Sequence, residues 1–301
     1  MAGGVTGNLR PLFAKMIKVY LASAQDQRLD LSSMLAGEHP IKNGRDMKMY
    51  LAGENGKKKI ITNNLYGSDV SIGDVNILET YYYLRKNEEF TKIIPHCNSF
   101  LLDSGAFTFI KGSNKEKVDW DRYVEEYAQF IKRNNIDLFF ELDIDSLVGL
   151  SEVERLRKKV ETITGKQPIP VWHKGRGKEY FIRMCKEYPY VALGGIAIKE
   201  IKREVFENYF PWFIKIAHDN GAKIHGLGYT SVKKLRYYHF DSVDSTAWLH
   251  GNIGGWIDVF NPITHMMEKV QKEGYSLKSK DAAIHNFIEW AKWARYAERN
   301  Y

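Results

Sequence analysis

Short runs of Phe, Leu, Ile and Val recur along this chain, separated by longer stretches in which apolar residues return every three or four positions. The short runs predict buried strands, and the longer stretches predict amphipathic helices. Residues 1–15 read as a flexible leader, Ile17–Ser23 as a candidate strand, and 24–45 as loop, with Gly37, Pro40 and Gly44. Beyond this extension, strands are predicted at 48–52, 98–103, 137–143, 168–173, 190–194, 223–227, 240–245 and 256–260. Helices are predicted between and after them. The first spans 74–90, with Ile77, Leu78, Tyr81, Tyr82 and Leu84 in helical register behind Asp74. Others follow at 119–133, at 151–163 with a Ser151/Glu154 capping box, and at 178–187, 200–219, 231–237, 262–273 and 280–299.

Strands alternating with helices imply parallel βαβ units. Eight strands is the number in a (β/α)₈ TIM barrel, whose active site lies at the C-terminal strand ends. The expected architecture is an α/β chain with an N-terminal extension over 1–45. One barrel domain over 46–301 follows, finished by C-terminal helices. A doubly wound sheet is the alternative. It would want a glycine-rich phosphate turn after an early strand, and neither G-x-G-x-x-G nor G-x-x-x-x-G-K-[ST] is present.

Composition narrows the function classes. Hydrophobic residues at 44% and charged residues at 27% of 301 are ordinary globular values. No apolar run approaches the roughly 18 residues of a membrane span, and Met1–Arg10 is small and polar, unlike a signal peptide. Cys97 and Cys185 are the only cysteines, too few for a multi-cysteine zinc site or a disulfide scaffold. The expected location is a reducing cytoplasm. The net charge of +7 fits a polyanionic partner without requiring one. Tyr, Phe and Trp, at 18, 15 and 7 copies, fill a core and also supply rings on which bases stack.

A barrel would gather at one end Asp103, Asp143 with Asp145, His173, Gly194-Gly195, His225-Gly226-Leu227-Gly228, and Asp241 with Asp244. Singly, an Asp after a strand is often a helix cap and a lone His a core residue. Their convergence on one barrel end argues for a site. Strand-tip glycines let a ligand approach the backbone. No H-x-H or H-E-x-x-H spacing points to a metal, so none is expected. Neither Ser104 nor Ser242 sits in a G-x-S-x-G elbow. The remaining chemistry is that of paired carboxylates: one attacks a sugar carbon to form a covalent intermediate and the other moves protons.

Four segments occur in an order that matches a known family. They are Asp103-Ser104-Gly105-Ala106-Phe107, Ala192-Leu193-Gly194-Gly195-Ile196, Gly226-Leu227-Gly228 and Asp241-Ser242-Val243-Asp244-Ser245. Together they resemble the D-S-G-[GA]-F, A-[LV]-G-G-[LI], G-[VI]-G and D-x-F-D-[CS] segments of the queuine-type tRNA-guanine transglycosylases. The Val243–Trp248 ending and Tyr81-Tyr82-Tyr83-Leu84 are most similar to the phage branch, the DNA 7-deazaguanine transglycosylases. Three departures stand out. The cysteines of the tRNA enzymes' zinc site have no counterpart, Thr108 replaces a Gln, and Val171-Trp172-His173-Lys174-Gly175 replaces an I-V-Q-G segment.

The resemblance implies a glycosyltransferase without a cofactor, exchanging guanine in DNA for a preQ0-like 7-deazaguanine with retention. The same exchange on tRNA and a non-catalytic nucleic-acid-binding barrel are the alternatives. Asp244 would be the nucleophile, with Asp241, three residues earlier, as its rival, and Asp103 the general acid/base. The base pocket would comprise Ser104, Phe107, Asp143, His173, Gly194, Gly195 and Ile196. Asp145 and Glu141 rival Asp143 as the base-reading carboxylate, and Ser245 and Trp248 are positioning candidates. Lys174, Arg176 and Lys178, then Lys233, Lys234 and Arg236, are the expected phosphate contacts. Partners would be DNA and the free base, with no membrane. A homodimer is compatible with this reading, as is a host cytoplasm for a phage-encoded protein.

Overall fold

The computed structural model describes residues 47–52, 70–105, 108–109, 118–196, 201–249, 256–271 and 279–301. The leader, the candidate strand at Ile17–Ser23 and Phe107 lie outside them. The barrel strands are β1 (Lys48–Ala52), β2 (Asn76–Thr80), β3 (Ser99–Asp103), β4 (Leu138–Phe139), β5 (Val171–Trp172), β6 (Tyr190–Leu193), β7 (Lys223–Gly226) and β8 (Ser242–Ser245). They form one parallel sheet in the order β4-β3-β2-β1-β8-β7-β6-β5. The ends of that order meet. Phe140 bridges Ile169 in parallel, with Ile169 N–H donating to Phe139 O at 2.8 Å and Glu141 N–H to Ile169 O at 3.0 Å. The eight strands among the described residues therefore close into a (β/α)₈ barrel.

Strand alternation sorts the side chains into two layers. Tyr50, Leu78, Leu101, Phe140, Ile169, Val171 and Ala192 pack together inside the barrel. The residues between them, such as Met49, Ile77, Leu102, Phe139, Val191, Ile224 and Val243, belong to the larger core shared with the helices. Those helices are α1 (Tyr81–Leu84), α2 (Glu88–Thr91), α3 (Trp120–Arg133), α4 (Asp145–Val148), α5 (Leu150–Thr164), α6 (Gly177–Glu187), α7 (Arg203–Glu207), α8 (Phe210–Asp219) and α9 (Ser279–Asn300). Asp119 caps α3, accepting from Arg122 N–H at 3.0 Å. Pro211 opens α8, which splits the helix expected over 200–219. The expected helix at 231–237 shortens to a 3₁₀ turn at Leu235–Tyr237. The Ser151 capping box does not form, because α5 starts one residue earlier with Gly149 as its cap.

Two sequence expectations exchange places. Residues 76–80, read as helix, are β2, whereas 256–260, read as a barrel strand, lie outside the barrel. The pattern at 76–80 misleads because nearly the whole strand is buried. A strand buried on both faces has no polar alternation, and it runs straight into the helical turn of α1. The expected helix over 262–273 is instead the second half of an antiparallel hairpin, β9 (Ile257–Asn261) with β10 (Met266–Val270). Asn261 Oδ1 closes its turn by accepting Ile263 N–H at 2.9 Å and Thr264 N–H at 3.1 Å, an Asn-Pro turn signal.

Helix α9 packs along the barrel, its Phe287 against Trp248 beyond β8 and its last turn against the start of β1 and β2. Glu298 Oε1 accepts Met49 N–H at 3.0 Å and is also bonded by the Asn76 amide. Burial pushes the Glu298 carboxyl up to about 7, against the opposing effect of the Met49 bond.

Candidate active site

The two aspartates of the 241–245 segment face different ways. Residues three apart on a strand lie on opposite faces. Val243 points outward into the helix-facing core, and Ser242 and Asp244 point into the barrel beside His225. Asp241 precedes β8 at the N-terminal end. Its Oδ2 accepts Ile224 N–H at 2.8 Å and bonds His218 Nε2, on α8, at 2.9 Å. Asp241 is therefore a buried tie between strand and helix, away from the C-terminal end where Asp244 sits. Its expected catalytic place is corrected on that ground.

Asp244 is buried, and its carboxylate is anchored at one oxygen. Gly228 N–H donates to Oδ1, and His225 Nε2 approaches the same oxygen at 3.2 Å. Both bonds among the described residues end on Oδ1. Oδ2 is thus the oxygen left for chemistry. The Gly226-Leu227-Gly228 segment acquires a function here: it carries an amide to this carboxylate.

Asp103 ends β3, and β2 lies beside it in register, pairing Thr80 with Asp103. Thr80 Oγ1 and Gly105 N–H each donate to Asp103 Oδ2 at 3.2 Å. Gly105 has φ +74, and a Cβ there would lie 2.5 Å from Tyr82 Cβ and 2.6 Å from Thr80 Cγ2. Only glycine lets the chain turn this tightly against α1. Burial raises the Asp103 carboxyl to about 7. The Asp143 charge adds to that effect, the Thr80 and Gly105 bonds oppose it, and Asp244 adds a smaller push. Asp103, Asp143 and Asp244 therefore share one electrostatic environment.

Asp143, beyond β4, bonds His173 Nε2 at 3.2 Å. The His173 ring lies against Gly194. A Cβ on Gly194 would come within 2.7 Å of His173 Cε1 and 2.8 Å of Val171 Cγ1. The expected pocket members Asp143, His173 and Gly194 are brought together, and Gly195 follows at φ +80. Ser104 is buried, and its carbonyl accepts the Tyr123 hydroxyl at 2.7 Å. Ile196 packs in the helix-facing core. Trp248, a positioning candidate, is fully buried against Phe287 of α9 at a ring distance of 5.3 Å.

The rivals of Asp143 are occupied elsewhere. Glu141 points outward and is fully buried. It accepts Arg176 Nη1 at 2.7 Å, Arg157 Nη1 at 3.1 Å and Val171 N–H at 2.7 Å. Asp145 takes Arg176 in a two-point pair at 2.8 and 3.0 Å. The Arg176 side chain is 1% exposed, so it does not contact a phosphate as expected. It is a strut fastening the turn after β5 to the loop after β4. The other basic residues are exposed. Lys178 lies over the Trp212 ring at 5.4 Å. Lys234 is paired with Glu207 at 2.6 Å, and Arg236 bonds the Tyr237 hydroxyl at 2.9 Å. Lys174 and Lys233 are exposed on the same C-terminal side of their strands.

Among the described residues, no group of three or more His, Cys, Asp or Glu side chains is arranged to hold a metal ion, and no helix is long and apolar enough to cross a membrane. No protein-family model matches the chain. No curated protein matches it either. Solved structures with a similar backbone include the carboxyl transferase domain of Rhizobium etli pyruvate carboxylase with pyruvate. It is 12% identical at a TM-score of 0.42, covering 85% of this chain and 49% of that one. Another is a protein described as a candidate fructose-1,6-biphosphate aldolase from Coccidioides immitis, 10% identical at 0.44, covering 84% and 86%. The chain spans about half the length of the pyruvate carboxylase domain chains it matches.

Proposed function

We propose that the protein is a DNA-guanine transglycosylase that exchanges guanine for a 7-deazaguanine base through a covalent aspartyl-sugar intermediate. The observation that carries this reading is the contrast between its two inward carboxylates. Asp244 has one oxygen held by the Gly228 N–H, with His225 Nε2 beside it, and the other available, as suits a nucleophile. Asp103 is pushed to about 7, so at neutral pH it exists in both the form that gives a proton and the form that takes one. The segment resemblance supplies the substrate class.

In the first step Asp244 Oδ2 bonds to the anomeric carbon as the carbon–nitrogen bond to guanine breaks. Asp103 gives its proton to the departing base. In the second, the incoming base attacks the same carbon, the ester bond breaks and its electrons return to Asp244. Asp103 recovers a proton from the new base. Two inversions retain configuration. One N-glycosidic bond replaces another, so no energy source is required. Asp143, His173 and the Gly194-Gly195 peptide border the position of the base. The target guanine must leave its stack, at a cost of a few kcal/mol, offset by pocket contacts and by exposed cations such as Lys178 and Lys233.

The test is to offer the protein labelled guanine together with duplex DNA, single-stranded DNA or tRNA. The expected result is label in DNA and a covalent protein–DNA adduct that Asp244→Ala abolishes. Label in tRNA alone would move the activity to RNA. No label and no adduct with any of the three would overturn the reading.

A further inference from the structure

His225 is fully buried inside the barrel and is not used by the chemistry above. Its ring lies between Tyr50 and Phe140, at centroid distances of 6.2 and 5.2 Å. Both of its nitrogens are engaged. Nε2 faces Asp244 Oδ1 at 3.2 Å. Nδ1 is bonded to Ser242 Oγ, and that oxygen is bonded in turn to the Tyr190 hydroxyl. Four side chains from β6, β7 and β8 thus form one chain ending on the carboxylate.

The direction of this chain follows from counting donors. A carboxylate only accepts, so the nitrogen facing it carries the proton. A neutral imidazole then has Nδ1 as an acceptor, and Ser242 must donate to it. The Ser242 oxygen is left to accept from Tyr190, whose hydroxyl has a proton to give. Each link has one donor and one acceptor. The ionisable neighbours are Tyr50, Tyr190 and Asp244 itself, and the Asp244 charge reaches Asp103 across the interior.

We infer that His225 is a positioning residue for Asp244: as the Nε2–H tautomer, set by Ser242 and Tyr190, it fixes Oδ1 and leaves Oδ2 to attack. The part concerning attack rests on the proposed transglycosylase activity, whereas the tautomer does not. The same donor has a second use. When Oδ2 becomes the ester oxygen, Oδ1 becomes the ester carbonyl. Nε2–H and the Gly228 amide then polarise it, which assists departure of the carboxylate in the second step.

Two measurements on the full chain test this. The first needs no substrate: ring nitrogen spectra of protein labelled with ¹⁵N-histidine, with the His225 signals assigned by their loss in His225→Gln. Near neutral pH we expect a proton on Nε2 and none on Nδ1, and a weakened preference in Ser242→Ala. A proton on Nδ1, alone or on both nitrogens, overturns the inference. The second is single-turnover adduct formation with a guanine-containing DNA oligonucleotide. His225→Phe should slow adduct formation about 100-fold while oligonucleotide affinity stays within about threefold of the parent. His225→Gln, whose amide nitrogen can stand near the Nε2 position, should recover about tenfold of that loss. Equal rates for the parent and His225→Phe, or no recovery in His225→Gln, would sink the positioning role. Should His225→Phe not fold, His225→Gln and the spectra still decide. Should the parent form no adduct, the proposed activity fails and the tautomer alone decides.

Discussion

Arg176 separates two readings of the same residue most sharply. On the sequence it is the middle of a basic cluster after a strand tip. In the structure its guanidinium is enclosed and makes three hydrogen bonds to two carboxylates, Glu141 and Asp145. Arg176→Met keeps much of the side-chain volume and deletes the charge. Asp145 is partly exposed, at 18%, and recovers water, so its loss is small. Glu141 is wholly buried and cannot. It retains Arg157 at 3.1 Å and the Val171 amide at 2.7 Å, which softens the penalty. Stranding one member of a buried ion pair costs about 3–5 kcal/mol, and the surviving partners place this case near the lower bound, about 3 kcal/mol. Urea unfolding should therefore show a lower midpoint at unchanged slope. Adding Glu141→Gln should restore part of the loss, because the uncompensated charge is gone. A surface phosphate contact behaves otherwise: stability within about 0.5 kcal/mol of the parent, and a salt dependence of DNA binding flatter by about one. Arg176→Met with parental stability and a flattened salt slope would refute the strut.

Three further outcomes are expected. Asp103 and Glu298 both have folded-state carboxyls raised to about 7, so each contributes stability that is complete below its unfolded value of about 4 and is lost as pH rises through about 7. The stability advantage of the parent over Glu298→Gln, followed by thermal melts, should shrink between those limits; an advantage growing with pH would contradict the burial. Gly194→Ala should force His173 off Asp143, costing about 1–3 kcal/mol of stability by overpacking and weakening calorimetric binding of the free base by about tenfold or more. Asp241→Asn should lower the melting temperature while still forming the adduct, whereas Asp244→Asn should melt near the parent and form none; the reverse pattern would return the nucleophile to Asp241.

Most of the fold can be read from the sequence because most barrel strands are short apolar runs flanked by helices with a clear polar face. Residues 76–80 escape because burial on both sides erases alternation, and the adjoining Tyr81–Leu84 turn lends them a false helical spacing. Residues 257–261 are a true strand, and nothing local to Trp256–Phe260 distinguishes a barrel strand from a hairpin. The next few residues of the chain make the distinction. The Asn261-Pro262 turn leads straight into β10 and leaves no room for the crossover a parallel strand needs. Two errors of opposite sign left the strand count at eight.

The site follows a simpler rule than motif matching. Strand parity, fixed by the two-residue period, determines which side chains can meet inside a barrel. Ser242 and Asp244 share parity, so Asp241 cannot join them. Phe140 points inward, so Glu141 cannot read a base, and the outward arginines compensate its charge. The same rule puts His225 inside, beside the carboxylate, although no segment motif singles it out. What parity cannot supply is the partner of each charge. Arg176 looks like a surface cation until the closure of β4 on β5 brings Glu141 and Asp145 to it, a contact between residues 31 and 35 positions apart. A basic residue after a strand tip is therefore ambiguous between ligand contact and strut until the carboxylates on the neighbouring strand are counted. Here the outward Glu141 just past β4, which must find a cation, decides for the strut.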